Sequence, residues 1–493
     1  MIDLTLAQIA DIVGGELADI SAADAAATRV TGSVEFDSRA VTAGGLFLAL
    51  PGARSDGHDF ATAAVQAGAA AVLAARPVGV PAIVVRPRAD FATDAAAGVL
   101  EHDTDGSGAA VLAALARLAA AVAAELVAGG LTIVGITGSS GKTSTKDLVA
   151  AVLAPLGEVV APPGSFNNEL GTPWTVLRAG QDTDYLVLEM SARHPGNIAA
   201  LASIAPPSIA VVLNVGTAHL GEFGSREAIA RTKAELPQAV PSSGVVVLNA
   251  DDDAVAAMAE QTAARVVRVS RSPGADIWSG PVTLDDLARP RFTMHADGGE
   301  TDVSLAVHGD HQVSNALCAA AVALECGATG AQVAAALAGA GPVSQHRMHV
   351  TTRDDGVTVI DDAYNANPDS MLAGLKSLAW MARQGVESRR SWAVLGEMAE
   401  LGDDAISEHD RIGRLAVRLD VSRLIVVGTG RAMSAMHHGA VMEGSWGGEA
   451  TMVADADAAL DLLRAELRGG DVVLVKASNA AGLGKLAEAL SAS

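Results

Sequence analysis

Residues 133–146 read IVGITGSSGKTSTK, and this stretch decides the fold of the chain around it. An apolar, β-branched run over 131–136 leads into a turn that contains Gly138 and Gly141, and a helical pattern follows over 144–153. A strand, a glycine-containing loop and a helix N-terminus in this order are typical of a loop that holds nucleotide phosphates. The pattern is the shorter GxxGKT form, which lacks the additional glycine of the eight-residue form.

Two side chains of this loop suit phosphate chemistry. Lys142 supplies a positive charge to phosphate oxygens, and the Thr143 hydroxyl can bind Mg²⁺. We therefore predict that the loop binds a nucleotide through Gly138, Ser139, Ser140, Gly141, Lys142, Thr143 and Ser144. The alternative is a chance match in a chain rich in glycine and alanine, and the strand before the loop and the helix after it argue against that.

The composition describes an acidic chain of 493 residues with a formal net charge of −23. This charge argues against general binding to nucleic acid or to anionic membranes, so phosphorylated ligands would need local basic sites. Half of the residues are hydrophobic but only 3% are aromatic, which predicts a core of Ala, Val and Leu. A chain of this length is expected to form about two to four domains.

No segment of the sequence predicts export or membrane insertion. The first residues carry acids where a signal peptide has bases, and they predict a helix that begins with a capping box of Thr5 and Gln8. The apolar run 109–128 contains Arg117 and Glu125. Because charges at the centre of a membrane span are costly, we predict that this run is a soluble helix.

The two cysteines predict a reducing environment. Cys318 and Cys326 lie in one helical pattern over 311–326, about 12 Å apart along its axis, which is too far for a disulfide. Two thiols without the spacing of metal ligands fit the cytosol. We therefore expect a cytoplasmic protein with no nucleic acid partner and no membrane insertion.

The alternation of strands and helices divides the chain into three blocks, predicted as domains of residues 1–106, 107–342 and 343–493. A polar stretch at 101–108 ends the first block, and a Gly-Pro pair ends the second. Apolar runs between helical segments predict parallel α/β sheets in the second and third blocks. The predicted strands are 131–136, 185–189, 209–214 and 245–249 in the second block and 357–361, 392–396, 424–427 and 472–475 in the third.

Polar side chains in two loops are candidates for ligand contacts. Ser38 and Arg39 precede a predicted strand at 47–50, and arginine suits bidentate contact with a diphosphate. A surface turn with an unpaired arginine is an equal alternative. Asn167 and Asn168 lie in a loop beside the predicted sheet, where paired amides either form a turn or bind a ligand.

Glu189 and His219 follow strands of the predicted parallel sheet, and such sheets bind ligands at the carboxyl ends of their strands. Glu189 is a candidate Mg²⁺ ligand or water-orienting base, unless it only ends its strand. His219 is either a metal contact or a packing residue. From the sequence alone Lys233 is an exposed helical lysine, and the acids of 249–253 only begin a helix.

The densest group of polar side chains lies at 359–371, VIDDAYNANPDSM. The predicted strand ends there in two aspartates, and Tyr364, Asn365 and Asn367 follow before a helix. The Pro and Ser that come next can start that helix. So many donors and acceptors in one loop nevertheless favour a binding role.

Together these stretches resemble the Mur ligases, ATP-dependent enzymes that form amide bonds during peptidoglycan precursor synthesis. The resemblance covers all three blocks through TGSSGKTS, the Asn-Asn loop, Glu189, the histidine after NVGTA, GDHQVSNALCAA at 309–320 and HRMHV at 346–350. It implies a small α/β N-terminal domain, a central ATP-binding domain with a parallel sheet and a C-terminal Rossmann-like domain. Within the family, YNANP with DSR…DGHDF and LGEMAELG is similar to the member that joins D-alanyl-D-alanine to UDP-N-acetylmuramoyl-tripeptide (UDP-MurNAc-tripeptide).

The resemblance also implies a role for each group of candidates. The N-terminal domain would bind the UDP of the nucleotide-sugar substrate, and the C-terminal domain would bind the incoming dipeptide. The residues implied to contact ATP are Gly138, Ser139, Ser140, Gly141, Lys142, Thr143, Ser144, Asn315, Arg347 and Asp362. Those implied to contact the other substrates are Ser38, Arg39, Asn167, Asn168, Tyr364, Asn365 and Asn367.

The same resemblance implies two Mg²⁺ ions, held by Thr143, Glu189, His219 and Lys233. The resemblance also replaces the interpretation of Lys233 as an exposed helical lysine, because Lys233 matches a lysine that is carbamylated in the family. Carbamylation would exchange an ammonium for an anionic carboxylate that can bind metal. Lys142, Lys233 and His219 are thereby implied as catalytic residues, in a monomeric enzyme.

The chain departs from the family pattern at three places. Ser191 and Asn197 stand where the family has a glycine and an acid, and KASN at 476–479 stands where KGSR is usual, which leaves Lys476 as the candidate contact there. Three other functions stay open: a sister ligase that adds a different residue, a P-loop kinase or ATPase, and a nucleotide-sugar binding protein with an inactive site. The YNANP loop argues against the first, and the intact phosphate- and metal-binding residues argue against the last.

Overall fold

The computed structural model describes residues 1–87, 100–216, 220–384, 388–444 and 448–492 and is a mixed α/β structure, as the sequence predicts. Internal contacts divide the chain into two units. The first comprises residues 1–135, 157–191 and 197–209, and the second comprises 136–156, 192–196 and 210–493. The domain boundaries at 106 and 342 stay a prediction.

The chain begins with the predicted capping box. The Thr5 hydroxyl accepts a hydrogen bond from the Gln8 backbone N–H at 3.2 Å, and the Gln8 side chain accepts one from the Thr5 N–H at 2.8 Å. These bonds satisfy donors that a free helix end leaves unpaired. The elements up to residue 128 are β1 (Leu4–Thr5), α1 (Leu6–Val13), β2 (Glu16–Ala18), α2 (Ala22–Ala27), β3 (Arg29–Val30), β4 (Val34–Glu35), β5 (Leu46–Leu48), α3 (Ala61–Gln66), β6 (Ala71–Ala74), β7 (Ala82–Val84) and α4 (Ser107–Ala128).

Five of these strands form the small sheet of the first block, in the order β2-β7-β6-β5-β4. β2 is antiparallel to β7, and the other pairs are parallel. A core that includes Phe47, Val72 and Ala82 buries one face of this sheet. The predicted strand at 47–50 is confirmed as β5, which begins and ends slightly earlier.

Among the described residues, α4 is the one helix that is long and apolar enough to cross a membrane, and half of its most apolar stretch is buried within the protein. Arg117 donates two hydrogen bonds, at 2.6 and 3.1 Å, to the carbonyl oxygen of Val13 at the end of α1. A cation suits this position because the last carbonyls of a helix carry partial negative charge. The charge in the run 109–128 therefore ties α4 to α1 in the first unit.

The four strands predicted for the second block are confirmed to within two residues. Parallel strands are buried on both faces, so they read as continuous apolar runs in the sequence. The elements are β8 (Thr132–Thr137), α5 (Lys142–Leu153), β9 (Val159–Val160), α6 (Gly171–Val176), β10 (Tyr185–Glu189), α7 (Asn197–Ile204), β11 (Ile209–Val212), α8 (Leu220–Phe223), α9 (Arg226–Ala239) and β12 (Val245–Asn249). In the first unit, β9 and β10 pair in parallel.

Beyond β12, the second unit continues with five strands that the sequence analysis missed and with the helix that it predicted over 311–326. The elements are α10 (Asp253–Ala256), β13 (Arg265–Ser270), β14 (Ile277–Ser279), β15 (Thr283–Leu284), β16 (Pro290–Ala296), β17 (Gly299–Ser304), α11 (Gln312–Glu325) and α12 (Gly330–Gly339). β13 and β14 continue in parallel from β12, whereas β15, β16 and β17 form an antiparallel extension. The strand order there is β11-β12-β13-β14-β16-β15, and β17 also pairs with β16. Cys318 in α11 and Cys326 directly after it are free thiols, as predicted.

A third sheet has the strand order β18-β19-β23-β20-β21-β22, in which only β18 is antiparallel to its neighbour. Its elements are β18 (His349–Thr352), β19 (Thr358–Asp362), α13 (Pro368–Arg383), β20 (Ser391–Leu395), α14 (Ala405–Arg418), β21 (Arg423–Val427), α15 (Arg431–Glu443), β22 (Ala450–Val453), α16 (Ala456–Glu466), β23 (Val472–Lys476) and α17 (Gly484–Ser491). Ile360 and Leu474 face one core, and Val359 and Val473 face the other. The four predicted strands are confirmed to within one residue.

Candidate active site

The loop between β8 and α5 has the geometry of a phosphate-binding loop. Gly141 has a φ of 83°, a conformation that favours glycine, and a Cβ atom there would lie 2.8 Å from Asn315 Oδ1. α5 begins at Lys142, so the unpaired N–H groups of its first turn lie at the loop. The Lys142 ammonium donates a hydrogen bond to the Gly138 carbonyl oxygen at 2.7 Å, which places a cation over the loop.

Asn214, two residues after the end of β11, fixes the shape of this loop and was not predicted as a site residue. Its side-chain oxygen accepts a hydrogen bond from the Ser140 N–H at 2.9 Å, and its side-chain nitrogen donates to the Ser140 carbonyl at 3.1 Å. Its backbone carbonyl accepts from the Ser139 N–H at 3.1 Å. The Ser139 hydroxyl in turn accepts from the Gly216 N–H at 2.9 Å. The segment that follows β11 therefore helps to hold the loop in shape.

One cavity of about 360 Å³ in the second unit brings most of the residues implied for ATP together. Its volume is in the range of small-molecule sites. Among the predicted residues, its lining includes Ser140, Gly141, Ser144, Asn315, Arg347 and Asp362. The other members of the prediction, Gly138, Ser139, Lys142 and Thr143, belong to the same loop.

Further polar residues of this cavity escaped the sequence analysis. Asn249 donates to the Leu213 carbonyl at 2.9 Å, and Arg271 forms a bidentate ion pair with Asp310 at 2.6 and 2.8 Å. Burial lowers the pKa of His311, which favours its neutral ring. These residues stand at the ends of different elements, so only the folded chain brings them together.

Arg347 connects the phosphate-binding loop to the third sheet. Its Nη2 donates to the Thr143 hydroxyl at 3.4 Å, and its guanidinium lies 4.4 Å from the centre of the Tyr364 ring. Its neighbours His346 and Met348 both have positive φ, 56° and 50°. Such strain in residues other than glycine clusters at functional sites, and here it occurs on both sides of Arg347.

Asp362 and Lys476 stand side by side at the carboxyl ends of β19 and β23. The Lys476 ammonium donates to the Asp362 carboxylate and, at 2.9 Å, to the Asn365 carbonyl. Burial lowers the pKa of Lys476, and the charge of Asp362 opposes this shift. Both side chains line the cavity, so the structure places Lys476 against the implied ATP residue Asp362.

Lys233 is buried in α9, with only 8% of its surface exposed. The interpretation as an exposed helical lysine, drawn from the bare sequence, is therefore wrong. Its pKa lies well below the ordinary value, first because burial penalises the ammonium and second because Lys142 adds positive charge nearby. The lowered pKa favours the neutral, nucleophilic form of this amine more than in an exposed lysine.

Glu189 ends β10 in the first unit and is 1% exposed. Its Oε2 accepts hydrogen bonds from the Ser165 hydroxyl at 3.2 Å and from the Asn167 side chain at 3.3 Å. Asn168 instead accepts from the Gly171 N–H at 2.9 Å, which begins α6. The two neighbouring asparagines therefore have different roles. Asn168 forms the turn, and Asn167 contacts the buried carboxylate of Glu189.

Arg39 lies in the turn after β4 and is paired locally. It donates to both carboxylate oxygens of Asp37, at 2.9 and 2.7 Å. These hydrogen bonds lower the pKa of Asp37 to about 2. The alternative of an unpaired arginine is wrong, and a ligand that used Arg39 would compete with Asp37. Ser38 lies in the same turn, partly exposed.

In the YNANP loop, the three predicted residues have different surroundings. The Tyr364 ring carries the Arg347 guanidinium, and the Asn365 side chain accepts a hydrogen bond from the Ala366 N–H at 2.9 Å. Asn367 is buried and caps α13: its side chain accepts from the Ser370 N–H at 2.9 Å, and the Ser370 hydroxyl accepts from the Asn367 N–H at 3.0 Å. Tyr364 thus reaches the nucleotide cavity through Arg347, whereas Asn367 starts a helix.

Replacing Asn367 with alanine is expected to destabilise the start of α13 by about 1 kcal/mol, because the helix loses its cap. Asn367→Asp keeps a good cap and removes the amide. Hydrogen exchange of the first turn of α13 and the rate of catalysis are the two measurements. An aspartate variant with native protection but lost activity would assign the amide to a substrate. If the first turn of α13 exchanges no faster in Asn367→Ala than in the wild type, the capping role of Asn367 is contradicted.

The predicted metal ligands do not form a cluster of acidic, histidine or cysteine side chains in the described part of the chain. Among the residues that the structure describes, no group of three or more His, Cys, Asp or Glu side chains could hold an ion by itself. The predicted ligand His219 lies outside the described residues. The acids of 249–253 behave as predicted, since Asp252 caps α10.

Three family models match the chain. The Mur ligase family catalytic domain matches residues 31–120, the Mur ligase middle domain matches 136–323, and the Mur ligase glutamate ligase domain matches 346–479. The UDP-N-acetylmuramoyl-tripeptide–D-alanyl-D-alanine ligase of Mycobacterium tuberculosis (strain ATCC 25618 / H37Rv) is 78% identical over 503 residues, which cover 100% of this chain and 98% of that protein.

Solved structures agree over the same length. A crystal structure of MurF from Acinetobacter baumannii matches with a TM-score of 0.81 and 28% identity, covering 100% of this chain and 99% of that one. The MurF ligase of Thermotoga maritima in complex with ADP matches with a TM-score of 0.74 and 27% identity, covering 94% and 97%. Sequence identity along the whole chain and a phosphate-binding loop in the matched middle domain lead to one conclusion: this chain belongs to the Mur ligase family.

Proposed function

We propose that the chain is an ATP-dependent amide ligase that joins D-alanyl-D-alanine to UDP-MurNAc-tripeptide and releases ADP and phosphate. The observation that carries this proposal is a cavity lined both by the phosphate-binding loop and by Arg347, Asp362 and Lys476. A relative that is 78% identical over the whole chain bears the name of this reaction. The reaction serves peptidoglycan precursor synthesis.

The chemistry proceeds through an acyl phosphate, because a carboxylate is a poor electrophile. A carboxylate oxygen of the tripeptide bonds to the γ-phosphorus of ATP while the bond from that phosphorus to ADP breaks. The dipeptide nitrogen, which arrives as an ammonium, first gives one proton to solvent; as a neutral amine it then bonds to the acyl carbon and loses a second proton. Inorganic phosphate leaves with the electron pair of the broken carbon–oxygen bond. The protein contributes positioning and neutralisation of charge.

Two cations are available to neutralise the phosphates. Lys142 lies over the loop at the Gly138 carbonyl, and Arg347 lies at the Thr143 hydroxyl with its guanidinium over the Tyr364 ring. A guanidinium fixed in this way offers several donors without losing much side-chain freedom. Preorganised charge of this kind stabilises the transferring phosphoryl group.

Lys233 is the residue proposed to carry a carbamate. An amine adds to carbon dioxide only in its neutral form, and burial together with Lys142 lowers the pKa of Lys233 toward that form. The amine nitrogen bonds to the carbon of CO₂ and releases a proton. The anionic product replaces a repulsion between two cations by an attraction to Lys142.

Mg²⁺ fits the oxygen donors that the chain offers. In the second unit these are the Thr143 hydroxyl and the carbamate proposed on Lys233. In the first unit Glu189 offers its buried carboxylate. His219, which lies outside the described residues, is proposed as a further ligand. When bound, Mg²⁺ neutralises negative charge on the phosphates.

The remaining assignments belong to the same proposal. The domain of residues 1–106 binds the UDP part of the substrate, residues 107–342 bind ATP, and residues 343–493 bind the incoming dipeptide. The enzyme works as a monomer in the cytoplasm, and the free thiols Cys318 and Cys326 suit that reducing compartment. Size-exclusion chromatography with light scattering tests the monomer.

ADP release is expected to require UDP-MurNAc-tripeptide and D-alanyl-D-alanine together. The measurement is a coupled ADP assay of the purified chain with each substrate present or withheld, and mass spectrometry of the UDP-pentapeptide. A kinase or plain ATPase would release ADP at the same rate without the dipeptide. That result would overturn the proposed function.

A sister ligase is the second candidate, and a panel of amines separates it. UDP-MurNAc-tripeptide is offered with D-alanyl-D-alanine, and shorter UDP-MurNAc-peptides are offered with single amino acids. Product from the dipeptide alone supports the proposal. Product from a single amino acid alone would assign the chain to another step of the family.

A further inference from the structure

Most charged side chains of the nucleotide cavity are paired with one another. The pairs are Arg271 with Asp310 and Lys476 with Asp362. Arg347 and Asp369 also line the cavity, but neither forms an ion pair within the described residues. The cavity therefore offers one unpaired cation and one unpaired anion to its ligands.

Asp369 lies beside the phosphate-binding loop. It is the second residue of α13, its side chain is exposed, and it makes no hydrogen bond to another described residue. A Cβ atom built on Gly216 would lie 2.2 Å from Asp369 Oδ2 and 3.3 Å from Ser139 Cβ. The carboxylate and the loop thus meet over Gly216, which has no side chain to keep them apart.

A carboxylate in this position repels the phosphates of a nucleotide unless a cation lies near it. Arg347 already directs its guanidinium toward the loop at Thr143, where the phosphates are expected. The reaction itself brings one more cation. The free amine of a dipeptide is largely an ammonium at neutral pH, and its nitrogen must reach the acyl carbon, one bond away from the transferred phosphate.

We propose that Asp369 binds the ammonium group of the incoming dipeptide and holds its nitrogen beside the acyl phosphate. This inference rests on the proposed function and deepens it by naming the residue that selects the amine substrate. Charge-assisted hydrogen bonds are about twice as strong as neutral ones. Asp369 therefore contributes to dipeptide binding and leaves the binding of ATP to the loop and Arg347.

Asp369→Asn tests this inference in the full-length enzyme. The KM for D-alanyl-D-alanine is expected to rise about tenfold or more, while the KM for ATP and the Mg²⁺ dependence stay within about twofold. Asp369→Glu keeps the charge and is expected to recover most of the loss. Asp457→Asn is the matched control, because Asp457 is also an exposed acid at the second position of a helix. The control is expected to leave every constant unchanged.

Two results for a folded Asp369→Asn enzyme would overturn the inference. If Asp369→Asn instead raises the KM for ATP or the Mg²⁺ requirement, the carboxylate acts on the nucleotide or its metal. If no constant changes, Asp369 has no part in substrate binding. If Asp369→Asn unfolds while Asp457→Asn does not, the inference rests on Asp369→Glu, and a glutamate variant with a tenfold higher dipeptide KM would overturn it. The wild-type enzyme is run in parallel to separate these results from failure of the proposed function. A wild-type enzyme without dipeptide-dependent ADP release would contradict both the proposed function and the role of Asp369.

Discussion

Replacing Lys233 with alanine is expected to slow dipeptide-dependent ADP release by about 100-fold or more. Lys233 is buried in α9, and burial together with the charge of Lys142 lowers its pKa well below the ordinary value. The variant loses the amine that we propose to carry a carbamate. Added acetate is expected to restore part of the rate, because a small carboxylate can occupy the space that the side chain leaves. The measurement is the ADP assay with and without acetate.

Two controls separate this effect from damage to the fold. Lys233→Met has a similar length without an amine, so it is expected to keep the thermal midpoint of the wild type and still lose activity. Lys376→Ala removes an exposed lysine from α13 and is expected to change neither property. A carbon-13 signal for a carbamate, present in the wild type under labelled bicarbonate and absent from Lys233→Met, is an independent readout. Full turnover of Lys233→Ala without any carboxylate would contradict the proposal.

Replacing Arg347 with alanine is expected to lower kcat by about 100-fold to 1,000-fold. Its guanidinium reaches the Thr143 hydroxyl and lies over the Tyr364 ring, 4.4 Å from the ring centre. The variant removes the cavity cation that forms no ion pair within the described residues. Steady-state kinetics with saturating ATP measure the loss.

Variants of its neighbours distinguish charge from geometry. Arg347→Lys keeps the charge without the planar fork and is expected to recover only part of the rate. Tyr364→Phe keeps the aromatic face and is expected to lose little. Arg383→Ala removes an exposed arginine of α13 that pairs with Asp420, and it is expected to have no effect. An Arg347→Ala enzyme with native kcat would rule out a role in phosphoryl transfer.

Much of the fold could be predicted because parallel sheets leave a direct trace in the sequence. Strands such as β12 and β23 are buried on both faces, so they read as apolar runs between turns. The antiparallel extension at β16 and β17 was missed although it carried a signal. Asp297 and Gly298 form its two-residue turn, with φ of 49° and 73°, and an Asp-Gly pair between alternating strands predicts such a hairpin.

The candidate site could be predicted only in part, since local patterns do not report tertiary surroundings. The phosphate-binding loop was predicted from its glycines and its lysine. The burial of Lys233 could not be predicted from local pattern, because the polar helix around it is typical of a solvated surface. Asn214 and Arg271 reach the site from separate strand ends, and although Asn214 begins the NVGTA stretch, that stretch was used only to locate the histidine after it. Asn367 shows the opposite case, in which a helix-start pattern explains a residue within a binding motif.

The neighbouring ends of β19 and β23 have a consequence for how this part of the enzyme can vary. Asp362 stands opposite Lys476 in a parallel register, and side chains along a strand alternate between the two faces of its sheet. A single inserted or deleted residue inside either strand would turn one partner away from the nucleotide and bury a lone charge among aliphatic side chains. Changes in chain length are therefore tolerable only in the connecting segments, and a homologue alignment that opens a gap within either strand is to be corrected before residues are compared.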